Sequence, residues 1–325
     1  MSFFSGLFYR PTAGRNQIVL TLGFCLSTAL LALVTTARAD LMVVDSLSDR
    51  VLLVSETDGS VVNSSFITDS SRFQTIINAI NSGQNTILIS DQVADAVFEY
   101  DLSGNYLRTV VSAANGLDNI RGITVRNGRL YVTVGGGSLS NTVQSFKLDG
   151  SDQQTFINSN LDSPWDVYFR GNDVLVSNSG SDDIERFDLN GNFLNTLVSS
   201  DGATGIDFPQ QINERGNGNL LVGGFSPPAG IYEYLANGTQ ANYYNAPGPR
   251  AVYELGNGKY LYSAGTRLAV FDPITLTSTD ILFNATSFSF RYIEKLQAVP
   301  EPGSWLLCLG LSGLAMSRTR GSRRS

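Results

Sequence analysis

The segment from Leu161 to Val198, LDSPWDVYFRGNDVLVSNSGSDDIERFDLNGNFLNTLV, reads as four short strands. WDVYF ends at a Gly-Asn turn, DVLVSN at a Ser/Gly/Asp loop, and DIERFDL at Asn190-Gly191; NFLNTLV closes the unit. Each run is rich in β-branched and aromatic residues and is bounded by turn formers. Asn-Gly supplies the positive φ angles of a tight hairpin.

The unit recurs. With Val167 of the first strand as anchor, the same column holds Ile76, Ile123, Ile212, Val252 and Ile293, and the spacings are 47, 44, 45, 40 and 41 residues. A third-strand column holds Val51, Val97, Val143, Ile184, Ile231 and Leu268. Three residues on stand Val54, Tyr100, Phe146, Phe187, Tyr234 and Phe271. Residues i and i+3 of a strand lie on opposite faces. Both faces are therefore apolar, as in a small sheet held between two neighbours. Four strands per repeat of roughly 40–45 residues predict an all-β, six-bladed β-propeller with four-stranded blades.

The blades can be counted along the chain. Blade one enters on its second strand at Leu41–Asp45. Blades two to six run from about Phe73 to Val111, Ile120 to Ile157, Trp165 to Val198, Pro209 to Tyr244 and Arg250 to Leu282. One run, FSFRYIEKL at Phe288–Leu296, is left over, and blade one lacks an innermost strand. The C-terminal strand is expected to complete blade one, which removes the free edges at the seam.

Residues 1–39 read as a signal peptide. Arg10 and Arg15 precede a 17-residue apolar run, Ile18 to Val34, and Ala37-Arg38-Ala39 offers an A-x-A site for signal peptidase. An uncleaved membrane anchor is the alternative. The propeller spans 40–297 and a tail spans 298–325. The two cysteines, Cys25 and Cys308, fall outside the body, so no disulfide is expected in it. Setting aside Arg10, Arg15 and Arg38, and Glu301 with the four tail arginines, leaves 15 basic and 28 acidic residues, a net charge of −13. Such a surface repels nucleic acid and anionic membrane.

Blades such as LDNIRGITVRNGRLYVTV followed by TVQSFKLDG resemble NHL-like six-bladed propellers. That resemblance covers Asp40 to about Leu296 and implies the fold. It leaves activity open, because such propellers host lactonases, lyases and plain binding modules. The tail carries a second resemblance. Val299-Pro300-Glu301-Pro302 precedes an apolar run, Trp305–Met316, and then Arg318, Arg320, Arg323 and Arg324. In this order the elements look like a PEP-CTERM sorting signal of exported proteins in Gram-negative bacteria. The resemblance implies an exosortase-type membrane peptidase acting near Pro300, Glu301 and Pro302, and a cell-surface or extracellular destination. The apolar run has 12 residues, fewer than the ~20 that span a bilayer. It suits a transient transmembrane helix better than a permanent anchor; an ordinary C-terminal helix or simple tail anchor is the alternative.

The chain has no histidine, which removes Ser-His-Asp and Cys-His catalysis and His-ligated zinc. Gly135-Gly136-Gly137 lies between strands and reads as a flexible turn rather than a phosphate loop. Carboxylate clusters such as Ser181-Asp182-Asp183 and Thr57-Asp58-Gly59 fall short of the oxygens that Ca²⁺ requires and read as turns. No metal or cofactor is expected.

One constellation points to binding. Two residues before each anchor stand Gln74, Arg121, Trp165, Gln210, Arg250 and Arg291. The start of each innermost strand borders the channel mouth, so six-fold repetition would gather these side chains into a ring. Guanidiniums grip carboxylates, amides read hydroxyls, and Trp can stack on a sugar face. Asp118, Asp162 and Asp207, five residues before their anchors, could instead hold the arginines in structural ion pairs. The favoured reading is a non-catalytic module for an acidic saccharide or a surface protein, set among exopolysaccharide-making cells by the PEP-CTERM resemblance. The alternative is a lactonase- or lyase-like enzyme with a carboxylate-held divalent metal, for which an acidic ring at the channel is the discriminating feature.

Overall fold

Short β-branched runs alternating with Gly, Asn and Asp turns fold into six antiparallel sheets of four strands each. The structure is a computed structural model and describes residues 40–296. The cleavage site predicted at Ala37 and Ala39 and the predicted sorting residues Pro300, Glu301 and Pro302 lie outside the described residues. No helix among the described residues is long and apolar enough to cross a membrane.

The innermost strands are Phe290–Leu296, Ile76–Asn81, Ile120–Arg126, Pro164–Arg170, Asp207–Glu214 and Ala251–Glu254, for blades one to six. Each touches the next, and the last returns to the first. The leftover strand does complete blade one: Phe290–Leu296 pairs antiparallel with Asp40–Asp45, from Asp45↔Phe290 to Asp40↔Leu296. It starts at Phe290 rather than Phe288, because the Ser289 N–H is taken by Asp45 Oδ1 at 2.9 Å.

The core lies between the blades. Ile184 packs towards blade five with Ile212, Val222 and Tyr232. Phe187, three residues on, packs towards blade three with Val143 and Ile157. Both are fully buried, so each sheet has two apolar faces.

The outer hairpins add a second repeated contact. The glycine closing the hairpin between third and fourth strands docks on the outer strand of the preceding blade. Gly104 sits where a Cβ would stand 2.6 Å from the Phe66 carbonyl oxygen. Gly150, Gly191 and Gly238 leave still less room, against the carbonyls of Val110, Phe156 and Leu197. Gly238 also has φ of 87°, where a side chain is strained. Gly238→Ala is expected to cost about 2–4 kcal/mol, from overpacking and backbone strain together. Urea denaturation checks this, and a change under about 0.5 kcal/mol would show that the hairpin docks without needing glycine.

An innermost strand is an edge strand, with unpaired backbone groups facing the axis. Side chains from other blades satisfy several of them. Asn78 Nδ2 donates to the Ile123 carbonyl at 3.2 Å. The Ile212 N–H donates to Asp166 Oδ2 at 2.9 Å, and Asn213 Nδ2 to the Val252 carbonyl at 2.9 Å. Gln211 reaches from blade five to blade one and bonds both backbone groups of Ile293, at 3.0 and 2.9 Å. Polar side chains are thus required along the axis by the fold itself.

Candidate functional site

Register defines the ring. Ile123, Val167, Ile212 and Val252 pair with Val132, Val176, Val222 and Tyr262 of their second strands. In blade two Ala79 holds this position, paired with Ile89. The Asn78 N–H bonds Ser90 Oγ as the Asp166 N–H bonds Ser177 Oγ, which confirms the alignment. The anchor column therefore runs through Ala79, not Ile76, and the residue two before it is Ile77. Gln74 stands outside the ring; it is exposed, and its backbone N–H bonds Asp91 Oδ2 at 2.7 Å. Arg121, Trp165, Gln210, Arg250 and Arg291 do occupy equivalent positions, with Ile77 as the sixth member.

The three arginines act together. Arg121, Arg250 and Arg291 all bear electrostatically on the phenol of Tyr292, which is fully buried beside them in blade one. Burial pushes the Arg250 guanidinium down to about 9, and the charge of Arg291 adds to this. Burial alone pushes Arg121 down to about 10, against a slight rise from Tyr292. Both remain cationic at neutral pH. None of the three forms an ion pair with a described carboxylate. Arg121 donates to Ser163 Oγ and the Pro164 carbonyl, at 2.9 and 3.0 Å. Arg291 donates to Ser46 Oγ at 3.0 Å. The pairing with Asp118, Asp162 and Asp207 does not form: Asp118 packs against Gly136, Asp162 against Gly180, and Asp207 beside Asp182.

Aromatic rings hold two of the guanidiniums. Arg121 lies over the Trp165 ring at 4.3 Å and Arg250 over Phe225 at 4.2 Å. Phe208 bridges them, 5.6 Å from each ring centroid. Trp165 is 6% exposed with one face covered by Arg121, so it supports a cation and offers no open face to a sugar. Gly135 has a local purpose: a Cβ there would stand 2.7 Å from the Arg121 guanidinium carbon. The triple glycine makes room for Arg121 and Asp118 rather than serving as a flexible turn.

The mouth is rich in unsatisfied donors. Arg121 Nε, Trp165 Nε1, Gln210 Nε2 and Arg250 Nε are buried with no hydrogen-bond partner, as is the Tyr292 hydroxyl. Each such group costs roughly 1–3 kcal/mol when left unmade. All belong to the starts of innermost strands.

About 3–10 Å further along the strands, at roughly 3.3 Å per residue, the channel becomes acidic: Asp166 follows Trp165 directly, and Glu294 stands three residues after Arg291. A cavity of about 240 Å³ is lined by Asp166, Glu294, Tyr168, Thr124, Asn81, Lys295 and aliphatic side chains. Burial pushes Asp166 up to about 7, against the hydrogen bonds from Ile212 and Val167. Burial, then the charge of Asp166, pushes Glu294 up to about 8. The ring read from sequence contained no carboxylate, and these two were missed. They sit one position to either side of the anchor, at 166 and 294, and columns taken there would have found them together with Tyr292. Among the described residues no group of three or more His, Cys, Asp or Glu could hold a metal ion.

Fold and site together define a six-bladed β-propeller whose axial channel is cationic at one mouth and acidic behind it. A crystal structure of a nidogen/laminin complex contains a similar chain: TM-score 0.67, 12% identity, covering 81% of this chain and all of that one. A protein of unknown function from Bacteroides caccae is also similar, with TM-score 0.58 and 13% identity over 80% of this chain and 99% of that one. At these identities the likeness establishes the fold. No family model and no curated protein matches the sequence.

Proposed function

We propose that this chain is an exported, non-catalytic binding propeller that takes a carboxylated ligand, an acidic saccharide or an acidic group of a surface protein, at the arginine mouth. One observation carries the reading: three guanidiniums that pair with no described carboxylate and four unsatisfied N–H donors meet around Tyr292, where Asp166 bears on the same phenol without forming an ion pair with any of them. A bound carboxylate neutralises charge and accepts from several donors at once. The leader and the PEP-CTERM-like tail support export through signal peptidase and an exosortase-type peptidase, with placement at the cell surface or in the matrix. The similar chain from the nidogen/laminin complex was solved as part of that complex, which is compatible with a binding role. A lactonase- or lyase-like reading rests on Asp166 and Glu294 at their cavity. Two carboxyls supply fewer oxygens than the six to eight that Ca²⁺ takes.

The test is a titration of the body with uronic-acid oligosaccharides beside Arg250→Ala. The expected result is binding by the unchanged protein and a loss of at least tenfold in the variant. The variant's melting temperature should be unchanged or slightly higher, because a buried like charge has gone. A marked drop in melting temperature, with no uronate binding by the unchanged protein, would mean that the arginines are structural.

A further inference from the structure

Four blades enter their innermost strand through a residue in the left-handed conformation, four positions before the anchor: Asn119 (φ 55°), Ser163 (φ 53°), Phe208 (φ 53°) and Gly248 (φ 59°). In three of them the backbone is latched in the same way. The N–H groups of Asn119, Ser163 and Phe208 donate to Asp95, Asn141 and Asp182 of the preceding blade, at 2.6, 2.9 and 2.9 Å. The loop therefore imposes a positive φ whatever side chain it carries. Asn and Gly tolerate this region, whereas a bulky residue there is an outlier. Backbone geometry gives no reason for phenylalanine at 208.

The side chain supplies one. Phe208 is half-buried at the mouth, between Trp165 and Phe225, and so between the rings on which Arg121 and Arg250 are stacked. Its exposed part gives the cationic mouth an apolar wall. We infer that Phe208 is a specificity-determining residue of this site, and that the ligand carries its carboxylate on a ring whose face packs against Phe208. The inference rests on the anion-binding reading above and narrows it. A free acetate-like anion would satisfy the arginines without using the exposed part of Phe208; a pyranose or carbocyclic carboxylate would use both.

The experiment titrates the unchanged protein and Phe208→Asn with acetate, cyclohexanecarboxylate and glucuronate by calorimetry. Asn is the residue that blade three carries at this position, so the loop stays unstrained. The unchanged protein should bind the two ring carboxylates at least tenfold more tightly than acetate. Phe208→Asn should abolish the preference, so that the ring carboxylates bind no more tightly than acetate does to the same variant. Equal affinity for acetate and ring carboxylates in the unchanged protein overturns the role of Phe208 and leaves the anion site standing. So does a ring preference that survives in Phe208→Asn. Binding of none of the three removes the anion site and this inference together. Should the variant fold poorly, the comparison of acetate with ring carboxylates in the unchanged protein still decides.

Discussion

A chain ending at Phe283 is expected to lose cooperative unfolding altogether. The cut removes Phe290, Tyr292 and Ile293, at 0%, 1% and 0% exposure. Burying large apolar side chains of this kind is worth about 1.5–3 kcal/mol each. The sum is comparable with the entire stability of an ordinary domain, about 5–15 kcal/mol. The loss is not only apolar. Gln211 would be left holding an amide with no Ile293 backbone to bond, and the inner edge of Asp40–Asp45 would be bare. Differential scanning calorimetry and near-UV circular dichroism provide the check. A sharp transition near that of the unchanged protein would mean that blade one closes without its inner strand.

The second expectation concerns alkaline pH. Asp166 and Glu294 have raised pKa values in the folded protein, about 7 and 8, against ordinary values of 3.8 and 4.5. The folded state then holds protons that the unfolded state has released. Below about pH 4 both states are protonated and nothing is lost. As pH rises towards 8 the folded state must ionise two neighbouring buried carboxyls, so stability falls. A tenfold difference in proton affinity between the two states is worth about 1.4 kcal/mol, and the coupled pair therefore amounts to several kcal/mol. The double variant Asp166→Asn, Glu294→Gln keeps acceptors for the Ile212 N–H and Gln211 Nε2 and removes the ionisation. It should match the unchanged protein near pH 3 and melt well above it at pH 9. A gap of equal size at both pH values, or a variant less stable at pH 9, would exclude ionisation as the cause.

Most of the architecture was legible because propeller blades repeat, and repetition turns weak local signals into columns. Val51 and Val54 alone mean little; six such pairs established two-faced sheets. The closing strand was legible as a remainder. Failure came where the repeat was locally disguised. Blade two carries its anchor as Ala79, and the larger Ile76 three residues earlier drew the column away, taking Gln74 with it. Tyr292, Asp166 and Glu294 were hidden for another reason. Register breaks occur at Ile120/Ile123, Pro164/Asp166 and Pro209/Ile212, and in blade one between Val43 and Asp45, opposite Ile293 and Phe290. A bulge re-aims side chains, so strict alternation did not foretell which of two adjacent positions faces the axis. The left-handed conformation of Phe208 was invisible because nothing in phenylalanine's own preferences suggests it.

The closing strand also fixes which way the ring faces. Every innermost strand begins at the arginine mouth and runs towards the acidic cavity, so Leu296 lies at the far side from Arg291. Leu296 pairs with Asp40, so the chain enters and leaves the ring side by side. Any tether joined to either end pulls on the same blade from the same side. A tether at either end would leave the arginine side of the ring facing away from the attachment point.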